Sequence, residues 1–195
     1  MKAIISIDIG LAGGITIFEQ KDNICRIVDC IKMPIVKIET KPAKFKFNLL
    51  NGKKQYYKTG SEKGNPKMIQ TSPAEYSREL DIHKVLKIFN SYEAKTIVFE
   101  EPGNSTGNAA KATATTNRNY GKLLALAEIS KANIVTVPAN KWKKDLGLTK
   151  DKLQCVEFAE KTFSMNFRTK NNALLDGQAE SALIGYWYIT ENSNK

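Results

Sequence analysis

Three strand-like segments stand almost end to end at the start of the chain: "KAIISIDI", "GGITIFEQ" and "NICRIVDCIKM". The connections between them are a few residues long and carry Gly, Asp or Asn, too short to hold a crossover helix. Strands joined that tightly pair antiparallel, which predicts a meander. The rest of the chain alternates. "SPAE" has a Ser72 cap, Pro73 at the first position and Glu75 three after the cap. It predicts a helix to about Asn90, with Leu80, Val85, Leu86 and Phe89 as a partial stripe. "AKTIVFEE" reads as a fourth strand, and a Gly/Asn/Ser/Thr loop then leads into a helix near Ala109–Lys131. "NIVTVP" is a fifth strand, "LTKDKLQCVEFAEKTF" a helix with Thr149 as its cap, and the last helix begins near Leu174. The expected class is α/β: a mixed five-stranded sheet, antiparallel first and parallel after, with helices on its faces.

At 195 residues the chain suits one domain, 1–195, with no internal repeat and no separating linker. Its one irregular stretch is a polar tract at about 40–70, which holds eight lysines against the single acid Glu62. That tract is read as an excursion from the domain, with a hairpin around Asn51-Gly52. Phe45, Phe47, Tyr56 and Tyr57 are interleaved with its lysines. They are expected to form a small core for the excursion, the alternative being that they stack on exposed bases.

Thirty Lys and Arg against twenty Asp and Glu give a net charge of +10, an excess that favours a polyanionic partner. Cys25, Cys30 and Cys155 are odd in number and match no metal-ligand spacing, which suits reduced thiols in the cytoplasm. No apolar run is long enough to span a bilayer, and Met1-Lys2 leads into a strand without a signal-peptide pattern. The single histidine, His83, lies between charged neighbours and reads as structural or exposed, leaving little material for histidine chemistry.

The informative residues are acids in apolar company. Asp8 interrupts a run of isoleucines near the end of the first strand, and a strand core rarely accepts a carboxylate unless its charge is compensated. Glu100 and Glu101 end the fourth strand after Ile97-Val98-Phe99. Alternation sends them to opposite faces, so only one can join Asp8 if the two strands are neighbours. On the last helix Asp176 and Glu180 share a face, and Leu183 and Trp187 continue it, which suits a helix lying on the sheet with acids at its near end. Taken singly, Asp8 suits a turn and the other acids suit solvated surface. Taken together, four carboxylates without a Cys or His partner favour Mg²⁺ or Mn²⁺ over Zn²⁺.

The ordered set "SIDIG", "VFEEPG", "VPANKWKK", "TKDK" and "DGQAESALIGYW" resembles the RuvC-like Holliday junction resolvases, with the shorter phage-type branch as the nearest flavour. The resemblance spans most of the chain outside the 40–70 tract. It implies an RNase H-like fold, a homodimer and Mg²⁺-dependent, structure-selective cleavage of branched DNA. It matches Asp8 to the first-strand acid, Glu100 to the fourth-strand acid (two before a proline) and Asp176 and Glu180 to the acids of the final helix. Lys150 and Lys152 match basic residues expected to touch phosphate. The bacterial enzymes usually carry Asp at the position matched to Glu180, and space the paired acids more closely.

These residues suit two-metal phosphodiester hydrolysis, with Asp8 bridging two Mg²⁺ ions, Mn²⁺ as a substitute, and 5′-phosphate and 3′-hydroxyl ends. Lys53 and Lys54 of the tract, with Lys141, Lys143, Lys144, Lys150 and Lys152, are the expected DNA-binding surface. Gly10, Gly13 and Gly14 either open a side-chain-free approach for a DNA backbone or make a tight turn. The helix near Ala109–Lys131 is a candidate dimer surface. The alternatives are an RNase H-like nuclease acting on an RNA–DNA hybrid or a flap, and a non-catalytic junction-binding protein. A sugar-kinase-like phosphotransferase shares the "DIG…GG" opening, but 195 residues leave no room for its second lobe.

Overall fold

The structure is a computed structural model that describes residues 3–21, 24–103 and 110–193. The first three segments fold as expected into β1 (Ala3–Ile7), β2 (Gly14–Lys21) and β3 (Ile24–Lys32), paired antiparallel in sequence order. β10 (Ala94–Glu101) lies parallel to β1 on its other side, and β11 (Asn133–Pro138) lies parallel to β10. The sheet therefore runs β11-β10-β1-β2-β3, an RNase H-like mixed sheet with β1 at its centre. All five residues of β1 are buried, as a central strand covered on both faces requires.

Alternation along the strands sorts the core into two layers. Ile5, Ile7, Ile97 and Phe99 face α1 (Ile82–Ser91) and α2 (Ala110–Ile129), packing on Val85, Phe89, Leu123 and Ala127. Ile4, Phe18 and Val98 point the other way. They meet Trp142 of α3 (Ala139–Asp145), Val156 of α4 (Lys152–Phe163), and Ala182 and Leu183 of α5 (Asp176–Ser193). Among the described residues, no helix is long and apolar enough to cross a membrane.

Several boundaries differ from expectation. "SPAE" starts no helix: Ser72 ends β8 (Met68–Ser72), and Glu75 opens β9 (Glu75–Leu80), which pairs with β4 (Ile35–Lys41). Cross-strand partners override the local cap signal there, since the Thr40 hydroxyl donates to the Glu75 carbonyl and Lys41 pairs with its carboxylate. Helix α1 begins later, where the Asp81 side chain accepts from the Lys84 amide. Asp151 rather than Thr149 caps α4, accepting from the Leu153 amide, while Thr149 bonds Gln154. Among the described residues three helices follow β11 where the sequence predicts two, α3 being the additional one. The Gly/Asn/Ser/Thr loop expected before α2 falls largely outside the described residues.

A second compact unit, Val36–Glu79, is inserted between β3 and α1 and includes the expected excursion. It is a two-stranded ribbon: β4 with β9, then β5 (Lys44–Phe47) with β8, then β6 (Leu49–Leu50) with β7 (Lys53–Lys54). Asn51 and Gly52, both at positive φ, make the turn at the expected place. No small core forms, for no residue from Val36 to Glu79 is buried, and Phe45 and Tyr56 are 54% and 50% exposed.

Candidate active site

Sheet register decides which acids meet. The last paired residues of β1 and β10 are Ile7 and Phe99, so Asp8 and Glu100 follow side by side. Ser6, two residues before Asp8, donates from its hydroxyl to the Ser181 carbonyl of α5 at 2.6 Å, which fixes that face as the α5 side. Glu100 is on the same face, where the buried Trp142 ring donates from Nε1 to its Oε2 at 3.0 Å. Glu101 points the opposite way and accepts from the Thr136 hydroxyl at 2.9 Å.

Helix α5 brings the other two acids. Its first turn sits against the 8–14 turn so closely that a methyl group on Gly177 would stand 2.3 Å from the Ala12 carbonyl oxygen, and one on Gly14 2.6 Å from the Gly177 carbonyl oxygen. The space expected as a possible approach for a DNA backbone is therefore filled, at Gly14 by α5 and at Gly13 by the carbonyls of Asp8 and Gly10 within the turn, and close backbone contact is what these two glycines permit. Within the turn, the Gly13 amide donates to the Gly10 carbonyl at 2.8 Å. A buried polar seam then locks the helix in place. The Thr16 and Ser181 hydroxyls bond at 2.7 Å, and the Gln178 amide nitrogen donates to the Cys30 carbonyl at 2.8 Å.

The charges in this site are unequally relieved. Asp8 accepts from the Gly10 amide at 3.3 Å, yet burial, with Glu100, Glu180 and Asp176 nearby, pushes its carboxyl up to about 7. Burial also holds Glu100 above its usual range, against the Trp142 hydrogen bond that lowers it. Two lysines supply compensating charge. Lys143 reaches Glu180 at 2.8 Å, both side chains being 13–16% exposed, and Lys152 bonds the Asp176 carboxylate. Burial depresses Lys143, but the Glu180 contact more than offsets it, leaving the amine above its ordinary value. Lys143 also stands 5.0 Å from the Trp142 ring centroid.

The expected basic surface is thus divided. Lys143 is turned in onto Glu180, Lys152 bonds Asp176 while its side chain stays 69% exposed, and Lys141 pairs with Asp145 at 2.8 Å. Lys144 and Lys150 are exposed, as are Lys53 and Lys54 within the Val36–Glu79 unit. Sequence reasoning missed Trp142, whose signal was only its place in "VPANKWKK" after the fifth strand.

All four acids are hard oxygen donors, and three of them add negative charge around Asp8. That donor set fits a divalent cation of the magnesium class. Among the described residues no three Cys, His, Asp or Glu side chains stand within joint reach of one ion. Lys143 occupies Oε1 of Glu180 and Lys152 occupies Oδ2 of Asp176.

Solved structures share this fold. The chain is similar to Thermus thermophilus RuvC in complex with a Holliday junction substrate, with a TM-score of 0.55 and 11% identity over 98% of this chain and 96% of that one. The Thermus thermophilus RuvC structure gives a TM-score of 0.53 at 11% identity, over 97% and 96% of the two chains. The yeast mitochondrial Holliday junction resolvase Ydc2 gives 0.53 at 13% identity, over 97% of this chain and 80% of that one. No family model matches the chain, and no curated protein matches it. At such identities the likeness is one of fold.

Proposed function

We propose that the chain is a Mg²⁺-dependent endodeoxyribonuclease of the RuvC-like kind, acting as a homodimer on four-way junctions and related branched DNA. The observation that carries this reading is the crowding of Asp8 with Glu100, Asp176 and Glu180 on one face of a resolvase-like sheet. Each of the four is an acid that the sequence alone singles out. Two Mg²⁺ ions held by these carboxylates, with Mn²⁺ as a substitute, would supply water activation and stabilisation of the leaving 3′ oxygen.

The protein's own residues do the positioning. Trp142 fixes one oxygen of Glu100 and leaves the other available. Lys143 and Lys152 hold Glu180 and Asp176 and neutralise them until a cation and a phosphate arrive. Freed from the acids, both amines are placed to meet phosphate oxygens. Asp8, near 7, exchanges a proton close to neutral pH.

The test is cleavage of a four-way junction beside linear duplex, flap and RNA–DNA hybrid, all with Mg²⁺. The junction should be cut best, leaving 5′-phosphate ends. Asp8→Asn and Glu100→Gln should bind the junction and not cut it. Best cleavage of the hybrid would overturn the resolvase reading, and undiminished cutting by both variants would remove the acids from the chemistry.

A further inference from the structure

The Val36–Glu79 ribbon has properties that the acid site does not use. It carries ten basic side chains against four acidic ones, a net of +6 out of the chain's +10. It buries none of its residues, although Phe45, Leu49, Leu50, Tyr56 and Tyr76 are all at least half exposed. A two-stranded ribbon without a core is marginal in water, so these apolar faces are available to a partner. Packing this ribbon on a second copy of itself would set +6 on +6. A polyanion fits the charge, and one that also offers flat apolar faces fits the aromatics.

Its tip is shaped for such a ligand. Leu50, Lys54, Gln55, Tyr56, Lys58 and Lys67 line a cleft of about 620 Å³. That volume lies in the range of small-ligand sites and suits one or two nucleotides, not a duplex. Three amines and an amide surround a tyrosine, the pairing of phosphate-binding charge with a stacking platform that single strands require. Lys54 already lies over the Phe47 ring, 3.7 Å from its centroid, and Lys67 is 5.5 Å from that of Tyr57, so the aromatics here accept a cation on a face. A paired duplex hides its base faces; an unpaired strand does not.

We infer that this cleft binds unpaired nucleic-acid strand, with Lys54, Lys58 and Lys67 on the phosphates and a base stacked on Tyr56. The inference rests on the nucleic-acid reading above and adds the form of the strand. Both can fail separately, because binding is measured without Mg²⁺, where no cutting occurs. The experiment titrates the full chain in EDTA with labelled oligothymidylate and with a linear duplex, over a range of salt. Lys54→Gln/Lys58→Gln/Lys67→Gln should weaken strand binding at least about tenfold and lower the salt slope by about two, at roughly 0.7 per phosphate contact. Tyr56→Ala should weaken it about five- to a hundredfold, with Tyr56→Phe restoring it. Lys54, Tyr56 and Lys58 are exposed and Lys67 is half-buried, none of them in a core, so thermal melting serves as the folding control. Wild-type affinity of the triple variant for the strand, or an equal loss on duplex, overturns the assignment. Strand binding that survives Asp8→Asn but falls in the cleft variants supports it, whatever the nuclease assay returns.

Discussion

Replacing Asp8 by Asn should make the protein more stable at alkaline pH and no more stable in acid. Burial and three neighbouring carboxylates raise Asp8 from an ordinary value of 3.8 to about 7. A folded-state value above the unfolded one means that the unfolded chain releases the proton first, so stability falls as pH rises between the two values. Below about pH 4 the carboxyl is neutral in both states and the cost is absent. Above about pH 7 it is ionised in both, and the cost is complete. At about 1.4 kcal/mol per pH unit, the upper bound is about 4 kcal/mol. Partial access of solvent reduces it, and at least about 2 kcal/mol should remain. Asn keeps an oxygen for the Gly10 amide and carries no charge. For a chain of this size the gain corresponds to roughly 4–16 °C in melting temperature. Melting is followed by circular dichroism at about pH 5 and about pH 8, with EDTA and then with Mg²⁺. Mg²⁺ at a hundred times its Kd should raise wild type by about 2.7 kcal/mol at pH 8 and leave the variant unmoved. A variant less stable than wild type at pH 8, or a gap that does not widen from pH 5 to pH 8, refutes the crowded-carboxylate account.

Two further substitutions probe how the site is held. Lys143→Met strands the largely buried Glu180 without its partner and should cost about 3 kcal/mol in EDTA, read by urea unfolding, with Mg²⁺ recovering most of the loss. Failure of Mg²⁺ to recover it would mean that Lys143 and a cation do not share Glu180. Gly177→Ala places a methyl group against the Ala12 carbonyl and Gly13 backbone, atoms that have no flexible end to yield. It should cost about 1–3 kcal/mol and abolish the Mg²⁺ response by displacing the first turn of α5.

Much of the fold follows from patterns within a few residues. Short connections dictate the β1-β2-β3 meander, and Asn51-Gly52 dictates a hairpin turn, because both depend on local backbone geometry. The failures have a common cause. Ser72-Pro73-Ala74-Glu75 carries every local part of a helix start, but Glu75 finds Thr40 and Lys41 across the ribbon, thirty-odd residues earlier in the chain. A cap contributes about 1 kcal/mol, and a cross-strand ladder with side-chain contacts exceeds it. The aromatics of the tract fail differently. Interleaving with lysine suits a small core and a stacking surface equally, and only three-dimensional exposure separates them.

The site divides along the same line. Alternation placed Glu100 and Glu101 on opposite faces, and i,i+4 spacing placed Asp176 and Glu180 on one, since both are period arguments. Period does not reveal which cation sits on which acid. Lys143 and Lys152 look, in sequence, like any of the thirty basic residues, and a basic residue near a nucleic-acid site is naturally assigned to phosphate. The fold gives them a prior occupant. Glu180 and Asp176 are near, Asp8 and Glu100 add negative charge around them, and Lys143 from within and Lys152 from the solvent side offset it. Such a site need not collapse or repel itself when no cation is bound. Its two helix acids are held by lysines, and the function proposed above would have the same lysines, once displaced, meet phosphate.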